Sequence, residues 1–206
     1  MVTVNELFKK VGLVPTAPVK WDEAIPIKGN GIYVISLSSD ASKNRGILPL
    51  CSISDDVFEN WKALSPELNV NGVLSKQIIE KELNQFWKPK ENILYIGEST
   101  SVNNQLKGRV KQFYKHKVGN KGPHTGGYWI KLLSKLEDLF VYYAVCENPR
   151  DTEFKMLMYF IEQTTGKSLY EVDELGIHLP FANLKADFRK KHGINKAVSK
   201  PKKKKA

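Results

Sequence analysis

Only two cysteines, Cys51 and Cys146, occur in 206 residues, far apart and without CxxC spacing. That scarcity argues against a disulfide framework or a cysteine-held zinc site, and it suits a reducing interior, so the cytoplasm is the expected compartment. No run of about 18 apolar residues is present, so no membrane-spanning helix is expected. The opening MVTVNELFKK lacks the long apolar stretch of a secretory signal. Acidic residues are missing altogether from Ser99 to Leu136, yet Lys107, Arg109, Lys111, Lys115, Lys117, Lys121, Lys131 and Lys135 all fall there.

That block matters more than the total formal charge of +10. The stretch KAVSKPKKKKA, from Lys196 to Ala206, carries six lysines and no acid; without it, 26 basic residues face 22 acidic ones. The body is thus mildly basic and the tail strongly so. Like charges packed into residues 99–136 repel one another unless something negative lies against them. Phosphates meet that need, with counterion release as the driving force, and a solvated basic face is the plain alternative. With 41% hydrophobic and 26% charged residues, the chain is large and apolar enough for one globular domain.

Apolar periodicity gives a coarse order of elements. VNELFKKVGL reads as a short amphipathic helix, and a linker marked by Pro15, Pro18 and Pro26 follows. GIYVISLS (Gly31 to Ser38) reads as a strand, β-branched and aromatic, after the Gly29-Asn30 turn signal. Asp40 to Pro89 differs in character, with helices expected around Asp55 to Leu64 and around Ser75 to Trp87. In the second of these, Ile78, Ile79, Leu83, Phe86 and Trp87 fall on one face. NILYIGE (Asn92 to Glu98) is a second strand, and LKGRVKQFYKHK a helix with Leu106, Val110 and Phe113 or Tyr114 turned inward. LFVYYAVCE (Leu139 to Glu147) is a third strand. Asn148 as N-cap and Pro149 at the first helical position start a helix running to about Thr165, with Phe154, Leu157, Met158 and Ile161 inward and Gly166 as its stop. HLPFANLKADF is expected to form a turn and a short helix, and the chain beyond Gly193 a disordered tail. The order implies an α+β fold with a small, mostly antiparallel central sheet of three strands flanked by helices.

The strands GIYVI and LYIGE resemble the two signature strands of the GIY-YIG nuclease superfamily. That family includes intron homing endonucleases, the incision subunit of bacterial nucleotide excision repair, and several restriction endonucleases. Each tripeptide alone reads equally as a buried sheet tyrosine; the ordered set that follows carries the resemblance. Arg109 in LKGRVKQFY matches the arginine of the helix after the second strand. Glu153, in the pattern E-x-x-x-L-x-x-x-I, matches the glutamate of a later helix. Asn183 in LPFAN matches a proline-flanked asparagine, and HTGG before the third strand is similar to some restriction-type members. The resemblance covers roughly Asn30 to Asn183 without the insertion. It divides the chain into an N-terminal helix and linker (1–28), a nuclease-like domain (29–188) with a helical insertion at about 40–89, and a basic tail (189–206).

The resemblance implies a metal-dependent DNA endonuclease, linked to restriction, repair or mobility. The residue types suit that chemistry. Phosphodiester hydrolysis needs an activated water, neutralisation of transition-state charge, and help for the leaving oxygen. Tyr33 is the expected group for the water and Tyr95 for positioning the phosphate. Arg109 offers a permanently charged fork for phosphate oxygens. Glu153 is the expected holder of Mg²⁺, with Mn²⁺ able to substitute, since one carboxylate with phosphate oxygens and waters suits that ion. Asn183 is assigned to the phosphate or to orienting Glu153, and Lys107, Lys111, Lys115, Lys117 and Lys121 to the DNA backbone. A homodimer is expected if both strands are cut.

Three departures from the family pattern stand out. Tyr33 and Tyr95 lie 62 positions apart, where the family uses a short loop. Phe113 occupies a position that is commonly histidine or tyrosine, with Tyr114, His116 and His124 as candidate replacements and His116 the first choice. Glu98 follows YIG where a basic residue is often found, with Lys107 as a stand-in. Phe113 and Glu98 keep open a second reading, a catalytically weakened nucleic-acid-binding module of the same fold.

Overall fold

The computed structural model describes residues 1–119, 128–168, 171–172, 175–186 and 189–195. The fold is α+β. Helix α1 (Val4–Lys10) begins in a capping box: Thr3 Oγ1 accepts from Glu6 N at 3.2 Å, and Thr3 N donates to Glu6 Oε2 at 2.7 Å. Strand β1 (Val19–Lys20) follows, then β2 (Gly31–Ser36). The insertion supplies α2 (Asp55–Leu64), β3 (Asn69–Val70) and α3 (Lys76–Asn84). Next come β4 (Ile93–Ser99), α4 (Leu106–Lys115), a 3-10 turn at Tyr128–Leu132, β5 (Phe140–Val145), α5 (Pro149–Thr165), α6 (Leu175–His178) and β6 (Ile194–Asn195).

The central sheet has four strands in the order β1-β5-β2-β4, and every pairing is antiparallel. The three expected strands are its β2, β4 and β5. The fourth comes from the supposed linker, where Val19 and Lys20 pair with Val141 and Phe140. A second correction concerns the C-terminal segment: Ile194 and Asn195 pair with Val70 and Asn69 of the insertion, and Gly193 N donates to Glu82 Oε1 at 2.6 Å. Order therefore extends past Gly193, because β3 offers backbone groups that need partners.

Each face of the sheet has its own core. Tyr33, Ile35, Tyr95, Val141 and Tyr143 lie on one face with Leu106, Val110 and Phe113 of α4 and with the insertion's Phe58, Trp61, Ile79 and Leu83. Ile32, Val34, Ile96, Tyr142 and Ala144 lie on the other, under Met156, Leu157, Phe160 and Ile161 of α5 and Leu7 and Phe8 of α1. Neither residues 1–28 nor the insertion stands apart, since both contribute to these two cores. In α5 the buried face is rotated from the expected one, leaving Phe154 and Met158 half-buried. Asn148 takes the N-cap position without a side-chain capping bond, and Gly166 ends the helix in the left-handed region at φ 69°.

No helix among the described residues is long and apolar enough to cross a membrane.

Candidate active site

Alternation along β2 and β4 determines which side chains meet. Tyr33 pairs with Gly97 on β4 and Tyr143 on β5, and Tyr95 pairs with Ile35, so both phenols rise from one face. Their ring centroids are 5.7 Å apart. Phe113 of α4 stacks on Tyr95 at 5.5 Å and lies 6.3 Å from Tyr33. The glycine of the YIG tripeptide has a steric reason. A Cβ at Gly97 would lie 2.5 Å from Tyr95 Cε1, 2.6 Å from Tyr33 Cζ and 2.8 Å from Tyr33 Oη.

Tyr33 is 0% exposed and Tyr95 7%. Tyr33 Oη is buried and makes no hydrogen bond of ordinary geometry, although the Tyr95 hydroxyl is near enough to ease its ionisation. Burial pushes the Tyr33 phenol up to about 12; Arg109 and Tyr95 pull it down, and Glu153 and Glu98 add to the rise. Tyr95 is held well above its ordinary value by burial, then by Tyr33 and Glu153, with Arg109 opposing. Both phenols therefore keep their protons at neutral pH and act as donors unless added positive charge draws them down.

Arg109, half-buried on α4, is close enough for its charge to act on both phenols and on Glu153. Glu153, half-buried near the start of α5, has its carboxyl pushed up to about 8, by burial first and then by Glu98, against the pull of Arg109 and Arg150. Glu98 pairs in register with Ile32 and so faces α5, and its Oε2 is fully buried without a hydrogen-bond partner. The phenols stand on the α4 side of the sheet and the two carboxylates on the α5 side. Glu153 nevertheless acts on the titration of both phenols, and Arg109 of α4 on that of Glu153, across the end of β4.

A cleft of about 610 Å³ opens beside this end, lined by Thr100, Glu147, Asn148, Arg150, Asp151 and Phe154. Its walls are near neighbours in the chain of Glu98 and Glu153. A cleft of about 670 Å³ lies at the opposite end of β2, bounded by Leu37, Ile47, Leu48, Leu50, Leu133 and Phe140. It contains none of these groups, so it carries none of this chemistry.

Asn183 is 2% exposed, and its amide is engaged with one backbone unit: Oδ1 accepts from Ile96 N at 2.9 Å, and Nδ2 donates to Ile96 O at 2.7 Å. Both amide atoms are thus engaged with β4, which ties the loop at Asn183 to that strand. His116 is the C-cap of α4, where its carbonyl and that of Tyr114 accept from Lys131 Nζ. The Tyr114 ring packs on Trp21 at 4.9 Å. Lys107, Lys111, Lys115 and Lys117 are exposed, the first three at i, i+4 and i+8 along one face of α4. Lys121 and His124 lie outside the described residues.

Two features were not read from the sequence. One is the buried Lys131, whose Nζ lies 5.9 Å from the Phe113 ring centroid and whose affinity for its proton burial lowers to about 8. The other is the orientation of Glu98 toward α5, which strict alternation from Tyr95 and Gly97 would have given.

No protein-family model, curated protein or solved structure matches the chain.

Proposed function

We propose that the chain is a GIY-YIG-type nuclease, a Mg²⁺-dependent endonuclease that hydrolyses phosphodiester bonds in DNA. The observation that carries this reading is that Tyr33, Tyr95, Arg109 and Glu153, drawn from two strands and two helices, lie close enough for their charges to act on one another. Their order in the chain is that of the motifs the sequence resembles.

Glu153 and Glu98 suit a hard cation. Two partly desolvated carboxylates repel each other, and Mg²⁺ takes one or two carboxylates with waters and phosphate oxygens. No group of three or more metal-ligating side chains occurs among the described residues. A bound Mg²⁺ would lower the pKa of water and neutralise charge on the phosphate. Arg109 then holds non-bridging oxygens, Tyr33 and Tyr95 donate protons in hydrogen bonds to the phosphate or the water, and the exposed lysines of α4 receive the flanking backbone. Phe113 excludes water from the phenols rather than moving a proton.

We place the protein in a reducing cytoplasm, with DNA as partner and a homodimer where both strands are cut. The buried, apolar Phe113 favours one second reading, a binding module of the same fold with weakened catalysis. Supercoiled plasmid with Mg²⁺ or Mn²⁺ separates the two readings. Wild type is expected to nick or linearise it, and Glu153→Ala to bind it without cutting. Full cleavage by Glu153→Ala would overturn the role given to that carboxylate.

A further inference from the structure

We infer that Glu98 is a second protein ligand of the divalent cation, so that the ion is held between β4 and α5 by two carboxylates. The inference rests on the nuclease reading for its purpose but on separate observations for its site.

Glu98 pairs with Ile32, whose face of the sheet packs under α5, so its carboxylate is directed to the element that carries Glu153. Glu98 Oε2 is fully enclosed and accepts no hydrogen bond, the situation a buried carboxylate oxygen avoids unless something else neutralises it. Arg109 and Arg150 lie within electrostatic reach of Glu153. The cleft of about 610 Å³ is walled by chain neighbours of both glutamates, Thr100 two residues after Glu98 and Phe154 next to Glu153. A cation here would satisfy the orphaned oxygen, relieve the repulsion between the two glutamates, and leave its remaining positions to water and phosphate.

The test is Mn²⁺ binding to the full chain without DNA, followed by the loss of the free Mn²⁺ electron paramagnetic resonance signal and by calorimetry. The expected result is one Mn²⁺ per chain for wild type, weakened tenfold or more by Glu98→Gln and by Glu153→Gln, and unchanged by Glu147→Gln on the cleft wall. Glu98→Lys is the companion variant, because a lysine there would meet Glu153 as an ion pair and guard against misfolding; it too should abolish Mn²⁺ binding with the circular dichroism spectrum retained. Wild-type affinity in Glu98→Gln or Glu98→Lys, or no Mn²⁺ binding by wild type at millimolar concentration, overturns the inference. Plasmid cleavage reports separately. Binding through both carboxylates without cleavage removes the nuclease reading and keeps the site. Cleavage with unaltered metal dependence in Glu98→Gln does the reverse.

Discussion

Tyr33 lies across Gly97 of the neighbouring strand so closely that a methyl group there would fall 2.6 Å from its Cζ. The two tripeptides are therefore not independent signals: the tyrosine of one occupies the space that the glycine of the other leaves empty. Gly97→Ala is expected to destabilise the fold by about 1–3 kcal/mol, since Tyr33 and Tyr95 are fixed beneath Phe113 and have little room to move. Urea denaturation checks this; a wild-type midpoint would show that the rings yield freely.

Asn183→Ala is expected to act on stability rather than on phosphate binding. It leaves the N–H and C=O of Ile96 without their partners, at about 1–3 kcal/mol for each group left unpaired and dry. A variant of wild-type stability that has lost DNA affinity would return Asn183 to the phosphate.

Glu153 gives the protein a pH dependence of definite sign. Its carboxyl, raised from 4.5 to about 8, binds a proton more tightly in the folded than in the unfolded chain. The contribution is complete below about 4.5 and is lost as pH rises through about 8, at up to about 1.4 kcal/mol per pH unit within that window. Lys131, lowered from 10.5 to about 8, acts mainly above that window and with the opposite sign, stability rising as pH rises. Urea midpoints between pH 5.5 and 8 without divalent cation should fall for wild type and stay flatter for Glu153→Gln. Parallel profiles would count against a proton on Glu153.

The lysines of α4 are expected to set the salt dependence of DNA binding. Replacing Lys107, Lys111 and Lys115 together by glutamine should lower the slope of log K against log salt by about 0.9 for each duplex phosphate that is no longer neutralised. An unchanged slope would leave the stripe as a solvated face and shift attention to the lysine-rich tail.

Much of this was legible in the sequence. GIYVISLS and NILYIGE announce strands through β-branched and aromatic runs, and Asn148-Pro149 with Gly166 brackets α5 within a residue of where it lies. β1 and β6 were not legible. Two residues carry no period, and each exists because a distant strand edge needed partners: Val141 for Val19, and Val70 for Ile194. Asn183 illustrates the same limit. A loop asparagine next to proline gives no sign of which backbone it will clamp, and here that backbone lies 87 positions away. Phe113 was legible as a departure, but only packing shows it stacked on Tyr95.

The clamp on β4 has a consequence for assembly. β4 is the last strand of its sheet, and its outer rail is already taken: Ala182 N donates to Leu94 O at 2.9 Å, and Asn183 holds both backbone groups of Ile96. A second copy finds no open row of donors and acceptors along these residues. Two chains set to cut opposite strands of a duplex would therefore not arise by splicing their sheets together at β4. A contact between copies on this side would have to be made by side-chain surfaces, which substitution can alter without unzipping a strand.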